Sequence, residues 1–454
     1  MEAKAYVEAL ITKSRAAQRE FESFNQEQVD AIVKEIGKVV YDNAIELARM
    51  AVEETGMGVF EDKVRKNQGK AKTIWNSLKN KKTVGIINKD ENKGIVEVAK
   101  PMGVVASVTP TTNPIVTPMC NAMFALKGRN SIIIAPHPRA KGCSSYTVKL
   151  INKALKKCNA PENLIQIIEE PSIELTSELM KMADVVVATG GMGMVKSAYS
   201  SGKPAYGVGA GNVQCIIDRD VDLKEVVPKI ITGRTFDNGI ICSGEQTVIA
   251  HEDDYYKVIE EFKKNGAYYI ENPKEKEALR KTLFINGTIN KDVVGQSTQK
   301  IAKLAGIQIP EDTKVILVKA DGIGEEDVLC KEKMCPVMTT FMYNDFAEAV
   351  NIAQTNLDIE GKGHSASIHS SNIRNIEYAG VMLTVSRLVV NQPSSTSAGG
   401  SFHNGFEPTT TLGCGSWGNN SISENFNYKH MMNISRIGHY MKDVKVPNDE
   451  EIWA

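Results

Sequence analysis

One segment of the chain has the residue types of a thiol active site: Thr235-Phe-Asp-Asn-Gly-Ile-Ile-Cys-Ser-Gly-Glu-Gln246. Its apolar Ile-Ile pair places the sulfur of Cys242 beside a low-dielectric surface, and the Asn-Gly and Ser-Gly pairs around it break regular structure. Backbone N–H groups exposed by such breaks stabilise a thiolate, or an oxyanion that forms beside it. The segment therefore predicts a nucleophilic cysteine, although a buried, inert cysteine is the common alternative.

Asn113 is a second candidate for this chemistry, in the turn Pro110-Thr-Thr-Asn-Pro114 after a predicted strand. Its side-chain amide is a donor of the kind that stabilises a developing oxyanion. A turn-forming Asn before Pro explains the same residues without any chemistry. His364, in the glycine-rich turn Gly361-Lys-Gly-His-Ser365, is an acid–base candidate whose alternative is a structural role.

The turn Ala188-Thr-Gly-Gly-Met-Gly-Met-Val195 has the composition of a phosphate-binding loop. Glycine lets backbone N–H groups approach a phosphate, and the following helix adds positive partial charge at its N-terminus. The turn does not match G-x-G-x-x-G, and a tight strand-to-helix turn needs glycine in any case. Glu332, in Lys331-Glu-Lys-Met-Cys-Pro-Val337, offers a carboxylate for ribose hydroxyls, although a solvated glutamate fits the local sequence as well.

The composition argues against several other functions. The 54 basic and 55 acidic residues nearly cancel, so no global field attracts nucleic acid or a membrane surface. The eight cysteines lack a C-x-x-C pair and the seven histidines lack H-x-x-x-H spacing, which argues against a metal site and a disulfide framework. No apolar run reaches membrane-spanning length. We therefore expect a reduced, cytoplasmic protein.

The elements that must position these residues alternate along most of the chain. The first ~80 residues have apolar side chains at helical spacing, and two strand-like runs joined by a polar turn predict a hairpin over residues 83–98. From Gly103 onward, short β-branched runs alternate with helical stretches, which predicts an α/β fold with parallel, doubly wound sheets. The polar segment after Asn391 is interleaved with aromatic residues, which indicates an ordered loop that lines a site.

Taken together, these motifs resemble the aldehyde dehydrogenase superfamily, and most closely its acylating, CoA-dependent branch. The resemblance covers essentially the whole chain. Its most specific stretches are Ala198-Tyr-Ser-Ser-Gly-Lys-Pro-Ala205, Phe236–Gln246 and Thr411-Leu-Gly-Cys-Gly-Ser-Trp-Gly418. The stretches Gly207–Cys215 and Lys331–Val337 look most like those of acylating succinate-semialdehyde dehydrogenases.

The resemblance implies a Rossmann-type cofactor domain over residues 1–210, which carries an oligomerisation hairpin at 83–98. It also implies an α/β catalytic domain over 211–400 and a C-terminal segment, 401–454, that returns to the cofactor domain and the subunit interface. The implied assembly is a homodimer or a dimer of dimers. A simple edge sheet is the alternative for the hairpin.

By position, the resemblance implies that Cys242 is the nucleophile and Asn113 the oxyanion donor. Gly190 and Gly191 match glycines near the cofactor pyrophosphate, and Glu332 matches the carboxylate that holds the nicotinamide ribose. The cofactor-binding residues implied by the resemblance are Pro110, Thr111, His137, Arg139, Thr189, Gly190, Gly191, Gly209 and Glu332.

Two departures from the family pattern bear on the reaction. Hydrolytic relatives carry a glutamate that activates water, and Val208 occupies that place here. Because a valine accepts no proton, we expect CoA rather than water to take the acyl group. The strand-end segment Ala135-Pro-His-Pro-Arg-Ala-Lys141 has no acid for the adenosine ribose but carries Arg139, which leaves both NADP and NAD open as the cofactor.

The expected reaction is the reversible conversion of succinate semialdehyde, CoA and NAD(P)+ to succinyl-CoA and NAD(P)H through a thioester on Cys242. Because that aldehyde carries a distal carboxylate, its pocket needs a cation or several hydrogen-bond donors. The candidates for this pocket are Arg234, Ser394, Ser395, Thr396 and His364. Sulfoacetaldehyde or a simple short-chain aldehyde is the alternative substrate, and a non-catalytic nucleotide-binding protein is the alternative class.

Overall fold

The computed structural model describes residues 3–454, and its N-terminal part is helical, as the apolar spacing predicts. The helices are α1 (Ala3–Phe21), α2 (Gln26–Asp42), α3 (Ala44–Thr55) and α4 (Phe60–Leu78). Asn25 caps α2 reciprocally: its side chain accepts from the Gln28 N–H, and the Gln28 side chain accepts from the Asn25 N–H. Gly56 ends α3 at φ 66°, in the left-handed region where glycine carries no steric penalty.

The predicted hairpin is present, with β1 (Gly85–Asp90) antiparallel to β2 (Ile95–Pro101). The next elements are β3 (Val104–Val108), α5 (Val116–Lys127), β4 (Ser131–Ala135), α6 (Lys141–Leu155), β5 (Ile165–Ile167), α7 (Ile173–Met182), β6 (Val185–Thr189), α8 (Met192–Tyr199) and β7 (Ala205–Val208). Their strands form a parallel sheet of order β5-β4-β3-β6-β7. Val105 and Val187 face the core of α2 and α5, whereas Ala106 and Val186 face that of α7 and α8.

A second parallel sheet, of seven strands, follows in the chain. Its elements are β8 (Cys215–Ile217), α9 (Leu223–Thr235), β9 (Thr247–His251), α10 (Tyr255–Lys264), β10 (Ala267–Ile270), α11 (Pro273–Leu283), β11 (Phe284–Ile285), β12 (Thr288–Ile289), α12 (Thr298–Ala305), β13 (Val315–Lys319), β14 (Val337–Tyr343), α13 (Phe346–Ile359), β15 (Gly363–His369), α14 (Ile373–Met382) and β16 (Val385–Val390). The sheet order is β10-β13-β14-β9-β8-β15-β16, and β11 and β12 form a separate small ladder. The predicted α/β class with parallel sheets is confirmed.

The polar C-terminal segment is ordered and returns to the first half of the chain. It contains α15 (Ser394–Ser397), β17 (Met432–Gly438) and α16 (Asp449–Trp453), and β17 pairs antiparallel with β2 to complete a three-stranded sheet. Arg387 holds this segment in place, since its guanidinium donates to the carbonyls of His364 and Gly413 and to the Asn425 side chain. Across residues 3–454, no helix combines the length and the apolar character needed to span a membrane.

Candidate active site

The carboxyl ends of the first sheet open into a large space, which we call the central cavity. Its volume is about 440 Å³, which is in the range of small-molecule sites. Strands β3, β4, β6 and β7 end at its wall, and Ile240, Cys242, Glu332 and Met334 close it from the second half of the chain. Parallel sheets bind their ligands at this edge because the strand-to-helix turns converge there.

The central cavity brings together residues that lie far apart in the sequence. Its wall includes every residue of the predicted cofactor-binding set: Pro110, Thr111, His137, Arg139, Thr189, Gly190, Gly191, Gly209 and Glu332. Cys242 and Asn113 line the same cavity. Lys141, the other cation of the strand-end segment, instead pairs with the carboxylate of Glu170.

Two features of the wall fit a dinucleotide. Gly191 caps α8, and no atom lies within 4 Å of the position that a side chain there would take, so the helix N-terminus is open to a phosphate. The Glu332 Oε1 atom is buried and has no hydrogen-bond partner in the described part of the chain, as an acceptor awaiting a ribose hydroxyl would be. Burial raises the pKa of Glu332 to about 8, and the nearby Glu360 carboxylate adds to this shift.

Cys242 lies in a turn between α9 and β9 and is partly exposed, whereas most of the other cysteines are buried. Burial of its sulfur raises the pKa of the thiol to about 12, and Glu332 and Cys414 add to the rise while Arg387 opposes it. Gly211 packs against this turn so closely that a side-chain carbon would lie 1.9 Å from the Cys242 carbonyl oxygen. The position of the thiol therefore depends on glycine at 211.

The candidates for binding a distal carboxylate do not reach the central cavity. Arg234 is fully buried and donates to the carbonyls of Glu245 and Gly239, over 3.1 and 2.5 Å, so its guanidinium supports the Cys242 turn from behind. Arg234 does not line the central cavity. Its Nη1 and Nη2 groups are engaged by the backbone, and its Nε is buried without a partner among residues 3–454.

The remaining candidates also lie outside the cavity wall. The Ser394 N–H donates to Glu245 Oε1 over 2.7 Å, the Ser395 hydroxyl is buried without a partner among residues 3–454, and Thr396 is exposed. His364 is buried, and burial lowers its pKa to about 3, with Arg387 adding to the shift. Its imidazole is therefore neutral and contributes no positive charge to an anion pocket.

Sequence reasoning missed the cations that the fold does bring to this region. Lys66 and Lys70 lie on one face of α4, a helix that we interpreted only as amphipathic. Lys70 donates to the carbonyls of Gly399 and Thr409 over 2.7 and 3.0 Å, and Thr410 beside it lines the central cavity. Lys291 lines the cavity from the second half of the chain. The sequence feature that could have predicted these cations is the helical spacing of Lys63, Lys66 and Lys70, which places them on the same face of α4 as its buried apolar residues.

No metal centre accompanies these residues in the part of the chain that the structure describes. Within residues 3–454, no group of three or more His, Cys, Asp or Glu side chains is placed to hold a metal ion.

Residues 1–431 match the model of the aldehyde dehydrogenase family. The chain is 60% identical over 448 residues to the succinate-semialdehyde dehydrogenase (acetylating) of Clostridium kluyveri, which covers 99% of both proteins. It is 43% identical to a sulfoacetaldehyde dehydrogenase of Acholeplasma sp, over 98% of this chain and 93% of that protein. The crystal structure of an acetylating aldehyde dehydrogenase from Geobacillus thermoglucosidasius superposes with a TM-score of 0.95 at 38% identity, covering 98% of this chain and 99% of that one.

The family model, the sequence relatives and the similar structure all identify an aldehyde dehydrogenase, and each match covers nearly the whole chain. Acylating members of the family use NAD or NADP as cofactor and CoA as co-substrate. The chain therefore belongs to the aldehyde dehydrogenase family, as an acylating member that oxidises aldehydes with CoA.

Proposed function

We propose that the protein interconverts succinate semialdehyde and succinyl-CoA, with Cys242 as the nucleophile and Asn113 as the oxyanion donor. The observation that supports this most strongly is the shared cavity: Cys242 and Asn113 face the same space as Glu332 and the open glycine turn at Gly190 and Gly191. A thiol, an amide donor and a dinucleotide site in one cavity are the parts that thioester-forming aldehyde oxidation needs.

In this mechanism the Cys242 thiolate attacks the aldehyde carbon and forms a thiohemiacetal. The Asn113 amide and the Cys242 backbone N–H stabilise the resulting oxyanion. A bound nicotinamide supplies the acceptor for the hydride that leaves this carbon. Cys242 then carries the acyl group as a thioester, and the CoA thiol displaces it as acyl-CoA. Val208, at the cavity wall, offers no base for water, which favours CoA as the acceptor.

The choice of an anionic aldehyde rests on Lys70, which does not itself line the central cavity but contacts the Thr409 carbonyl next to the wall residue Thr410. Its ammonium is held by two carbonyl oxygens, and no carboxylate pairs with it among residues 3–454. Burial lowers the pKa of Lys70 to about 8, as expected for a buried cation that lacks a counter-ion. The nearby hydroxyl of Thr410, at the cavity wall, is buried without a partner in the same part of the chain. A carboxylate bound between Lys70 and Thr410 satisfies both groups.

Substitution of Lys70 by methionine is expected to lower kcat/KM for succinate semialdehyde by about 10- to 100-fold, the value of one charge-assisted hydrogen bond. Butyraldehyde, which has no distal charge, gains or keeps its rate. Steady-state assays with CoA and NADP or NAD measure kcat/KM for both aldehydes, and the ratio of the two values reports the preference for the charged substrate. Lys127→Met, which removes a buried lysine paired with Asp30, is the control for loss of a buried ammonium. Equal losses for the two aldehydes would contradict the assignment. If the protein prefers sulfoacetaldehyde, the assignment of Lys70 as an anion site stands, but succinate semialdehyde is not the substrate.

The same site predicts a pH dependence. Lys70 is charged below pH about 8 and neutral above it, so the preference for succinate semialdehyde over butyraldehyde in kcat/KM should fall as the pH rises through 8. Taking the ratio cancels the deprotonation of Cys242, which both substrates require. A ratio that stays constant from pH 6.5 to about 9.5 would speak against Lys70 as the anion ligand.

We propose NADP as the preferred cofactor, since Arg139 and Lys291 line the cavity and Glu332 is the one acid among its described wall residues. A 2′-phosphate is attracted by such cations. Arg139→Ala should lower kcat/KM for NADP by about tenfold and change that for NAD by less than about twofold. Parallel losses for both cofactors would point to a structural role for Arg139.

We further propose a homodimer, or a dimer of dimers, built on the sheet β1-β2-β17. The edge strand β17 and the segment after it expose Ile437, Tyr440 and Val446. Exposed apolar side chains on a free sheet edge favour pairing with another chain. A sedimenting mass of 49.7 kDa, that of one chain, would exclude this assembly.

The eight unpaired cysteines support a place in the reducing cytoplasm.

A further inference from the structure

A row of buried polar side chains connects Asn113 to the turn that carries Cys242. The Lys66 ammonium donates to Asn113 Oδ1 over 2.8 Å and to Asp237 Oδ2 over 2.5 Å. Lys63, one turn earlier on α4, donates to the same Asp237 oxygen over 3.1 Å. The Lys66 side chain is 8% exposed and that of Asp237 is fully buried, so water competes little with these contacts.

The charge of Lys66 decides which way the Asn113 amide points. An ammonium has donors but no acceptor, so only the oxygen of the carboxamide can face it. The NH2 group of Asn113 must then lie on the side away from Lys66. Among residues 3–454 no acceptor holds this NH2 group, which leaves it free to donate to a ligand.

Asn113 separates Lys66 from the place where substrate binds. A small pocket behind Asn113 is lined by Lys63, Lys66 and Asn67, and Asn113 is the residue it shares with the central cavity. Cys242 lines the central cavity only, and Lys66 lines the small pocket only. Lys66 therefore contacts the amide from behind and does not line the cavity that Cys242 faces.

Asp237 links this arrangement to the nucleophile. It precedes Cys242 in the same turn, and Asp237, Asn238 and Gly239 are all left-handed, with φ of 54°, 52° and 68°. Such a conformation is costly for Asp and Asn and needs support from its surroundings. The Asp237 carboxylate receives that support from the Val59 N–H at the start of α4, over 2.8 Å, and from both lysines.

We propose that Lys66, held by Asp237, is a positioning residue that keeps the Asn113 NH2 group turned toward the oxyanion formed on Cys242. This inference rests on the proposed function, because it takes Asn113 as the oxyanion donor. Through Lys66, helix α4 contacts both Asn113 and the turn that carries Cys242. The Asn113 amide is therefore already oriented when negative charge develops on the substrate oxygen, and it need not rotate.

The test is a double-mutant cycle in the full-length enzyme, assayed with succinate semialdehyde, CoA and NADP. Asn113→Ala should lower kcat by about 10²- to 10³-fold, as loss of one oxyanion donor does. Lys66→Met should lower kcat by about 10- to 100-fold with KM nearly unchanged, because the freed amide still samples the productive orientation. In the Asn113→Ala background, Lys66→Met should have almost no further effect on kcat.

Three comparisons keep the outcome clear. Lys127→Met removes a buried ammonium paired with Asp30, at the opposite end of α5 from Asn113, and should keep wild-type kcat. Lys66→Arg retains donors and charge and should recover at least about tenfold of the activity lost in Lys66→Met. Thermal melting of each variant reports loss of folded protein separately. If Lys66→Met does not fold, Lys66→Gln carries the test, because a carboxamide both donates and accepts and no longer fixes which end of the Asn113 amide faces it.

The outcomes separate this inference from the function on which it rests. Additive losses in the cycle would mean that Lys66 acts independently of Asn113, which overturns the positioning role but leaves the donor in place. Wild-type kcat in Asn113→Ala would overturn Asn113 as the oxyanion donor, and the positioning role with it. A KM effect without a kcat effect in Lys66→Met would also overturn the positioning role.

Discussion

Substitution of Cys242 by alanine is expected to lower kcat by about 10⁴-fold or more in both directions, because the covalent route then has no nucleophile. The effect is this large because every later step, from hydride loss to attack by CoA, acts on a group attached to this sulfur. The remaining cavity still binds its ligands, so the affinity for NADP should change little. Fluorescence quenching on cofactor addition measures that affinity independently of turnover.

The acyl-enzyme offers a direct check of this prediction. Mixing the protein with succinyl-CoA in the absence of reduced cofactor should add one succinyl group to the peptide that contains Cys242, detected by mass spectrometry. Cys158→Ala is the matched control, since Cys158 is the other partly exposed cysteine. Full turnover by Cys242→Ala, or a succinyl group on another cysteine, would contradict the assignment of the nucleophile.

Replacement of Val208 by glutamate should allow water to compete with CoA. Val208 is buried at the wall of the central cavity, where a carboxylate can accept a proton from a water that approaches the Cys242 thioester. General base catalysis contributes about 10²- to 10⁴-fold, so aldehyde oxidation without CoA should rise by a factor in that range. Free succinate would then replace succinyl-CoA as the main product.

The measurement is NADPH formation with and without CoA, together with product identification. Val208→Gln is the matched control, because it has the size of the glutamate but accepts no proton at neutral pH. Its CoA-independent rate should stay at the wild-type level. The Glu variant should lose its hydrolytic rate as the pH falls below the pKa of the new carboxyl, which burial raises. Equal hydrolysis by the Gln and Glu variants would mean that polarity, rather than base catalysis, admits water.

The elements of the two sheets show where sequence patterns suffice. Strands β3 (Val104–Val108) and β4 (Ser131–Ala135) are two of the β-branched runs expected after Gly103. The pattern suffices there because both faces of each strand are buried and every residue is apolar or small. Strand β17 was not predicted. Its residues are mostly exposed or half-buried, and its partner β2 lies more than 300 residues earlier in the chain, as the Asn433–Lys100 pair illustrates.

The residues of the site also differ in how far the local sequence predicts their role. The residue types around Cys242, Asn113, Glu332 and Gly190 carry a recognisable chemistry, and the fold brings these predicted residues to one cavity. Arg234 has an equally suitable side chain, but it does not line the cavity, and its Nη1 and Nη2 groups donate to carbonyls of the Cys242 turn. The local sequence holds no information about that contact, because it arises only when the turn closes over the helix end.

The amino-acid sequence by itself determined the family, the α/β class and part of the set of residues that face the central cavity, since those depend on local pattern and on motif. The tertiary structure alone decided which lysines are buried at the site. Lys66 and Lys70 would be solvated in an isolated helix, and α4 is turned so that they meet Asp237, Asn113 and two backbone carbonyls instead. Whether a charge is exposed or buried depends on what packs against its helix, and here the packing comes from distant segments of the chain.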